Sequence, residues 1–313
     1  MKRRTFLKSA CLSGIALPAI VRSKLPSPTG TSKYDGEPLR VLHITDVHIR
    51  PEEQAPERCE TLLRLMRREA GEIDFVLNTG DSIYAADYAD ISRERMLLQW
   101  DLWDSIVMKG LDGLEVLSCL GNHDSWWAAP TQDDQMRGKG YAVERLGIPG
   151  RYYSVDRGAW KIISLDSNNE GLLDTEQRQW LDAQFAGLPD EQPVLIMSHQ
   201  PLLNYRALWD GMATWQKQII DPLHETSRRV TFISGHTHEL DSMTFHNLSF
   251  YCNGAFSGFW WEPGPENDGS RNGTPIGFAV LELFPDGRVT CNYQGFTRDE
   301  LLSRSGPKTL KPS

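Results

Sequence analysis

The amino-acid sequence predicts an α/β fold built around parallel β-sheet. Short apolar runs of the kind found in buried strands alternate along the chain with longer segments of helical periodicity. The chain has 313 residues, 40% of them hydrophobic, which suffices for the core of one substantial domain but not for two full ones. No run of about 18 apolar residues follows the N-terminal region, so no membrane-spanning helix is expected in the body of the chain.

The predicted elements follow one another in a regular order. The first strand, residues 39–45, comes after residues 24–37, whose Ser, Pro, Gly and Thr content is typical of a linker. Later apolar runs predict strands at residues 73–78, 114–120, 160–165, 194–198, 229–234 and 248–252. Helical periodicity predicts helices between them, at residues 57–72, 91–108, 175–186 and 212–224. Asp174 and Gln177 form a capping box that would begin the third helix.

The C-terminal part of the chain predicts a hairpin and a tail. Strands at residues 278–284 and 288–293 flank Pro285-Asp286-Gly287, which is a turn sequence. Residues 301–313 are polar and basic, so we expect them to form a loose tail.

Metal-binding residue types fall in short polar clusters at the ends of the apolar runs. Because parallel strands deliver their last residues to one rim of a sheet, we expect these side chains to converge. Imidazole and carboxylate ligands suit zinc, manganese and iron, and the absence of cysteine from the clusters argues against a closed thiolate zinc site. Five of the eight histidines belong to these clusters: Asp46-Val47-His48, Gly80-Asp81, Gly121-Asn122-His123-Asp124, His199 and Gly235-His236-Thr237-His238.

Spacing within the clusters predicts ligands that share an ion. In Asp46-Val47-His48, a spacing of two places both side chains on the same face of an extended strand end, and His236 and His238 repeat that spacing. Asp81 is suited to bridging, because a carboxylate can offer one oxygen to each of two ions roughly 3.5–4 Å apart. A glycine precedes three of the ligand positions, where a tight turn or a close backbone approach would exclude a Cβ: Gly80, Gly121 and Gly235.

In this order, the clusters resemble the motifs of the calcineurin-like metallophosphoesterases, from about residue 39 to residue 250. Five such pieces in the right order, each after an apolar run, are very unlikely to arise by chance. The resemblance implies a two-sheet β-sandwich flanked by helices, in four αββα layers, as a catalytic domain at residues 38–300. It also implies two divalent or trivalent metal ions (Mn, Fe or Zn), one held by Asp46, His48, Asp81 and His238, and the other by Asp81, Asn122, His199 and His236.

The resemblance further implies hydrolysis of a phosphate ester. Two cations would lower the pKa of a shared water, so that a bridging hydroxide attacks, and would neutralise charge developing on the phosphoryl oxygens. His123 resembles the family's non-ligand histidine, which protonates the leaving alkoxide. Such a histidine needs an orienting carboxylate. Asp124, next in sequence, is the candidate catalytic carboxylate that we name with His123; Asp87 is the alternative, and the choice stays open.

The expected substrate is a small or amphiphilic, nucleotide-like phosphodiester. Phosphomonoesterase and diphosphatase activities are alternatives, because the same metal core serves all three. A non-catalytic phosphate- or glycan-binding protein with structural metals is an alternative from another class, although His123 argues against it because that residue is not needed to hold metal. Four tryptophans next to or downstream of the clusters could either contact substrate or pack in the core: Trp126, Trp127, Trp260 and Trp261.

The N-terminal residues 1–23 resemble a twin-arginine signal peptide. Arg3-Arg4 is followed by Phe6-Leu7-Lys8 and a modest apolar stretch at residues 10–21. We therefore expect a periplasmic or otherwise exported protein, carried by the twin-arginine machinery and cleaved after Ser23. Removal of five basic residues and no acidic ones would change the formal net charge from −9 to −14. So acidic a protein is a poor candidate for binding long nucleic acid. The sequence does not indicate an oligomeric state.

Other polar residues have structural interpretations. We expect His43 to be packed or hydrogen-bonded on the first strand, and His224 and His246 to lie on the surface. Cys252 and Cys291 fall in strand-like runs and could pair, but the cysteines are too few and scattered for a disulfide scaffold.

Overall fold

The computed structural model describes residues 36–52, 54–167, 173–205, 211–212, 214–257, 270–271, 273–297 and 300. The predicted signal peptide, nearly all of the linker, the predicted tail, and Trp260 and Trp261 lie outside these ranges. Within them, two six-stranded β-sheets pack against each other. No helix of the described residues is long and apolar enough to cross a membrane.

The first sheet has a parallel centre and an antiparallel edge. Its order is β10-β11-β1-β2-β3, with β12 paired to β11. Strands β1, β2 and β3 are parallel, whereas β11 runs antiparallel to β1. The bounds are β1 (Leu39–Ile44), β2 (Phe75–Asn78), β3 (Glu115–Ser118), β10 (Ser270–Arg271), β11 (Thr274–Leu283) and β12 (Val289–Phe296).

The second sheet also has a parallel centre, with an antiparallel strand at each edge. Its order is β4-β5-β6-β7-β9-β8, in which β5, β6, β7 and β9 are parallel. The predicted parallel sheet is therefore confirmed for the centres of both sheets, and the predicted hairpin around residues 285–287 is present as β11 and β12. The antiparallel edge strands β4 and β8 were not predicted. The bounds are β4 (Tyr153–Arg157), β5 (Trp160–Ser164), β6 (Val194–Met197), β7 (Val230–Ser234), β8 (Asp241–Phe245) and β9 (Leu248–Cys252).

Helices cover the outer face of each sheet. Buried side chains of α1 and α2 join the outer face of the first sheet in one apolar cluster, and those of α4 and α5 join the second sheet in another. A third cluster lies between the sheets and includes Leu77, Leu195 and Leu281. The four-layer αββα prediction is thus confirmed. The helices are α1 (Ala55–Glu69), α2 (Arg93–Leu102) with a π-helical continuation (Trp103–Met108), α3 (Lys139–Arg145), α4 (Thr175–Ala186) and α5 (Thr214–His224).

The structure also tests the predictions for one helix, one buried histidine and two cysteines. Helix α4 has the predicted bounds, and the Asp174 side chain accepts a hydrogen bond from Gln177 N at 2.9 Å. His43 is buried as expected, with Nε2 2.8 Å from Thr79 Oγ1. Cys252 and Cys291 are free thiols, so the pairing that the sequence left open does not occur. Their sulfurs contact Gly235 O and Asn253 respectively.

Candidate metal centre

The predicted ligands come together at one end of the two-sheet sandwich. The loops after β1, β2 and β3 supply Asp46, His48, Asp81 and Asn122, and the loops after β6 and β7 supply His199, His236 and His238. Ligand atoms form two groups, and within each group they lie within 4.8 Å of one another. The first group is Asp46, His48 and His238, and the second is Asp81, His199 and His236. Each group combines residues from both sheets.

The first group is tightly clustered and buried. His238 Nε2 lies 3.2 Å from Asp46 Oδ1 and 3.2 Å from His48 Nε2. His48 Nε2 lies 3.7 Å from the same Asp46 oxygen. Asp46 and His48 have no exposed surface, and His238 is only 5% exposed. Two imidazoles and a carboxylate therefore direct their ligand atoms at one point.

Asp81 connects the first group to the second. Its Oδ2 atom lies 3.0 Å from His199 Nε2 in the second group and 3.7 Å from His48 Nε2 in the first. His199 Nε2 also lies 3.0 Å from Asn122 Oδ1 and 3.1 Å from His236 Nδ1. Asp81 therefore lies between the groups, as a bridging carboxylate requires. A single oxygen, Oδ2, faces both groups, because Oδ1 accepts a hydrogen bond from His123 N at 2.9 Å, so the expected arrangement with one oxygen for each ion is wrong.

The donor set fits a pair of cations. Buried carboxylates are normally hydrogen-bonded, yet Asp46 Oδ1 has no hydrogen-bond donor among the described residues. The converging atoms are imidazole nitrogens, carboxylate oxygens and one amide oxygen, which suit borderline divalent or trivalent metals. Asp46, His48, Asp81 and His238 could hold one ion, and Asp81, Asn122, His199 and His236 the other.

Five ligand residues have left-handed backbone conformations. L-residues adopt this region rarely, at a cost of about 1–3 kcal/mol each. The expectation that Asp46 and His48 end an extended strand is therefore wrong: β1 ends at Ile44, and the ligands lie on the turn that follows. The φ values are 52° for Asp46, 46° for His48, 52° for Asp81, 68° for His236 and 58° for His238.

Backbone hydrogen bonds between the ligand loops hold this conformation. Asp46 N donates to Gly80 O at 3.0 Å, and His48 N donates to Asp81 O at 2.9 Å. His236 N donates to Asp46 Oδ2 at 2.9 Å, which ties the loop after β7 to the loop after β1. The loops thus fix one another, and strain at one position is maintained by contacts from the others.

The glycines before the ligands permit this close packing. A Cβ on Gly121 would lie 1.9 Å from Asp81 N, and a Cβ on Gly235 would lie 1.9 Å from Thr45 Oγ1. Real Cβ atoms essentially never approach other heavy atoms so closely, so the predicted exclusion of a Cβ is confirmed at both positions.

Residues outside the ligand set orient the ligands. His199 Nδ1–H donates to Thr79 O at 2.8 Å, which leaves Nε2 free to face the second group. Thr45 Oγ1 donates to Asp46 Oδ2 at 2.7 Å. Ser167 Oγ accepts from Gln200 N at 2.9 Å and so fixes the residue after His199. Thr79 and Thr45 were not predicted from the sequence, since a backbone carbonyl and a single hydroxyl carry no motif.

His123 is oriented by Asp87. His123 Nδ1 lies 2.6 Å from Asp87 Oδ1, and His123 Nε2 lies 4.0 Å from Asp81 Oδ2. Burial would lower the pKa of His123, but Asp87, together with the charge of Asp81, raises it above its ordinary value. The choice left open by the sequence thus falls on Asp87 as the orienting carboxylate.

Asp124 does not orient His123, although the sequence named the two together as candidate catalytic residues. It is buried, and its carboxylate accepts hydrogen bonds from Gly121 N at 2.7 Å and Ser82 N at 2.8 Å, and from Asp81 N at 3.1 Å. Burial and the nearby Asp81 charge raise the pKa of Asp124 to about 6, against the effect of these amides. Asp124 joins the loop carrying Asp81 to the loop carrying Asn122 and His123.

The protonation of the buried histidines depends on their carboxylate neighbours. Burial lowers the pKa of His48 to about 4, despite Asp46 and Asp81 nearby, so its ring is neutral at pH 7 and can bind a cation. Burial also acts to lower the pKa of His199, but the Asp81 charge outweighs it and raises the pKa to about 9. A metal ion would have to displace that proton.

The centre opens on the side of the second group. Asn122 and His123 are partly exposed and His236 is exposed, whereas Asp46 and His48 are enclosed. Trp126 is buried and donates through Nε1 to Ile91 O, so it packs in the core. Trp127 is 45% exposed, and Arg137 lies over its ring. A substrate would therefore approach from the side of His123 and His236.

A sequence profile of the family described as calcineurin-like phosphoesterase matches residues 39–240. The chain therefore belongs to this family. It is also 25% identical over 268 residues to a 3′,5′-cyclic-nucleotide phosphodiesterase from Nostoc sp., a match that covers 81% of this chain and 91% of the relative.

Solved structures share the fold. A dimetal phosphatase from Danio rerio has a TM-score of 0.57 at 17% identity, covering 83% of this chain and 97% of that one. A purple acid phosphatase from yellow lupin (Lupinus luteus) seeds has a TM-score of 0.57 at 15% identity, covering 88% of this chain and 57% of that one. Together, the family match and the site geometry make the protein a metal-dependent phosphoesterase.

Proposed function

We propose that this member of the calcineurin-like phosphoesterase family hydrolyses a small or amphiphilic phosphodiester, with His123 protonating the leaving group. One observation carries the proposal: His123 lies beside the second ligand group, is partly exposed, and is oriented through Nδ1 by Asp87 at 2.6 Å. A histidine in that position is not required to hold metal, but it is suited to proton transfer.

Two metal ions, which we propose to be Mn, Fe or Zn, would be held by the two ligand groups. When bound, they would lower the pKa of a water toward neutrality and offset the negative charge on the phosphoryl oxygens. Asp81 would contribute to both sites. The neutral His48 and the buried Asp46 need no change of protonation state to bind a cation at pH 7.

His123 supplies the proton for the leaving alkoxide. Because Nδ1–H donates to Asp87, the second proton of the imidazolium is carried at Nε2, which faces the site. Asp87 raises the pKa of His123 against the effect of burial, and so favours the imidazolium, which is the form that can donate a proton. After transfer, the neutral ring keeps its Nδ1–H and its orientation.

Two observations favour a diester. The Nostoc relative is named as a 3′,5′-cyclic-nucleotide phosphodiesterase, and it aligns along most of both chains. The formal net charge of −9 disfavours a long nucleic-acid polymer, which leaves a small nucleotide-like diester as the preferred class. Phosphomonoesters and diphosphates are the alternatives, because the metal ligands alone do not distinguish them.

Turnover of matched esters tests the proposal. Metal-loaded protein should hydrolyse bis(p-nitrophenyl) phosphate and 3′,5′-cyclic AMP with a higher kcat/KM than p-nitrophenyl phosphate. A strong preference for the monoester would replace the diesterase proposal with phosphomonoesterase activity. No turnover of any phosphate ester, with both metals bound, would favour the non-catalytic binding protein.

We also propose that residues 1–23 direct export through the twin-arginine machinery, as their paired arginines suggest. The double substitution Arg3→Lys and Arg4→Lys keeps the charge but changes the arginine pair. It should retain the full-length protein in the cytoplasm in a fractionation experiment. Unchanged export of the variant would contradict the proposal.

A further inference from the structure

Arg50 is a buried residue on the loop that carries Asp46 and His48. Arg50 lies two residues after His48 in the sequence, and it is only 7% exposed. Its Nε atom has no hydrogen-bond partner among the described residues, and no ion pair involves its guanidinium there. A buried donor without a partner is costly, and arginine cannot remove it by releasing its proton.

Among the described residues, Glu52 and Asp87 are carboxylates with other partners. Glu52, two residues on, pairs with both terminal nitrogens of Arg95. Asp87 contacts His123. Arg50 contacts the Tyr84 ring, whose centroid lies 4.5 Å from the guanidinium carbon. A cation–π contact compensates part of the cost of burial but leaves the donor at Nε unused.

A row of aromatic rings connects Arg50 to His123. The Tyr84 and Tyr88 ring centroids are 6.1 Å apart, and the Tyr88 and His123 centroids are 5.8 Å apart. Tyr88 is 42% exposed although it packs against two other rings, so part of its ring faces solvent. Burial raises the pKa of the Tyr88 phenol to about 12, while the Arg50 charge opposes the rise.

We infer that Tyr88 and Arg50 form a subsite for the leaving group of the substrate, and that this group is a planar ring carrying an additional negative charge. The inference rests on the proposed function, since His123 marks the side on which the leaving group departs. Tyr88 packs against the ring through its exposed face. Arg50 provides the counter-charge, and its planar donors suit a carboxylate or phosphate.

A purely structural role for Arg50 makes a different prediction. If the guanidinium only packs on Tyr84, its removal should lower the stability of the protein and affect all substrates alike. If it binds an anionic leaving group, its removal should affect charged substrates selectively. The inference requires the unaltered protein to prefer anionic over neutral substrates. Because the metal ions would also attract anions, that preference does not by itself show that Arg50 causes it.

A pair of esters of nearly equal shape separates these cases. Bis(4-carboxyphenyl) phosphate carries an anionic group on each ring, and bis(4-carbamoylphenyl) phosphate carries a neutral one. The metal-loaded protein should prefer the carboxylate ester in kcat/KM. In Arg50→Gln that preference should fall by about 10- to 100-fold, the range expected for a hydrogen bond to a charged group, while turnover of the amide ester stays within about threefold.

Three further variants provide controls. Arg145→Gln removes another guanidinium that lies over aromatic rings, here Trp100 and Tyr141, and it should leave the preference unchanged. Arg50→Lys keeps the charge but not the planar donors, so it should retain part of the preference even if the glutamine variant does not fold. Tyr88→Leu should lower kcat/KM for both esters by about 2- to 10-fold, because ring packing does not depend on the substrate charge.

Two results would overturn the inference. One is an unaltered protein that turns over bis(p-nitrophenyl) phosphate but shows no preference for the carboxylate ester. The other is an Arg50→Gln or Arg50→Lys variant that keeps the full preference. Failure of the unaltered protein to hydrolyse bis(p-nitrophenyl) phosphate would instead contradict the proposed phosphodiesterase function.

Discussion

Substituting Asp87 by asparagine isolates the contribution of the carboxylate that orients His123. Asparagine keeps the size of the side chain but removes the charge that faces His123 Nδ1 at 2.6 Å. A hydrogen bond between charged partners contributes about 1.5–3 kcal/mol, which corresponds to about 10- to 150-fold in rate if it is fully expressed in the transition state. Asp87 is partly exposed, with a side-chain relative exposure of 27%, so we expect the lower part of that range.

The nature of the leaving group makes the test specific. A p-nitrophenolate leaves readily without a proton, whereas an alkoxide needs the acid. Asp87→Asn should therefore lower kcat for 3′,5′-cyclic AMP by about 10- to 30-fold and kcat for bis(p-nitrophenyl) phosphate by less than about threefold. Both metals should remain bound, as elemental analysis of the purified variant would show.

A nearby aspartate offers a matched control. Asp90 is exposed and lies three residues after Asp87, so Asp90→Asn changes the same charge without touching His123. It should leave both rates unaltered. Equal losses for the two esters in Asp87→Asn, or full activity on the alkyl ester, would refute proton donation by an Asp87-oriented His123.

Four other predictions concern the ligands, the packing of the loops and the core. His123→Ala should keep both metals and lose most turnover of alkyl esters; unchanged turnover would remove His123 as the acid. Asp81→Asn should lower metal content and rate together, because Asp81 Oδ2 faces both ligand groups, and a fully loaded, fully active variant would contradict bridging. Gly121→Ala should lower both metal content and melting temperature, since the new Cβ would lie 1.9 Å from Asp81 N; normal values for both would show that the loops can separate. Leu77→Ala, at a fully buried position between the sheets, should lower the free energy of unfolding by about 2–5 kcal/mol in a denaturant titration without changing metal content in the folded protein, and a change under about 1 kcal/mol would contradict the packing there.

Apolar runs in the sequence located those strands that are buried along their whole length. Strands β6 and β7 are buried along their whole length, and their apolar runs located them within one or two residues. Strands β4 and β8 were missed because they are edge strands of mixed exposure, so that no apolar run marks them. Their position depends on pairing with β5 and β9, which is a property of the hairpin and not of the strand itself.

The ligand set was accessible to sequence reasoning because each ligand follows a strand. The residues that orient the ligands were less accessible. The contact of His199 with Thr79 joins positions 120 residues apart through a backbone carbonyl, which any residue type could supply. Asp87 was recognised as an alternative but could not be chosen over Asp124, since both are carboxylates at short range and only the loop conformation decides which one reaches His123.

Each ligand group draws on both sheets: Asp46 and His48 come from the first sheet and His238 from the second, while Asp81 comes from the first and His199 and His236 from the second. Metal ions bound there would act as cross-links between two layers that also associate through the apolar cluster between the sheets and through hydrogen bonds between the ligand loops. Occupancy of the centre and cohesion of the sandwich are then thermodynamically linked. At a free metal concentration about 100 times Kd, one such site would add about 2.7 kcal/mol to the free energy of unfolding.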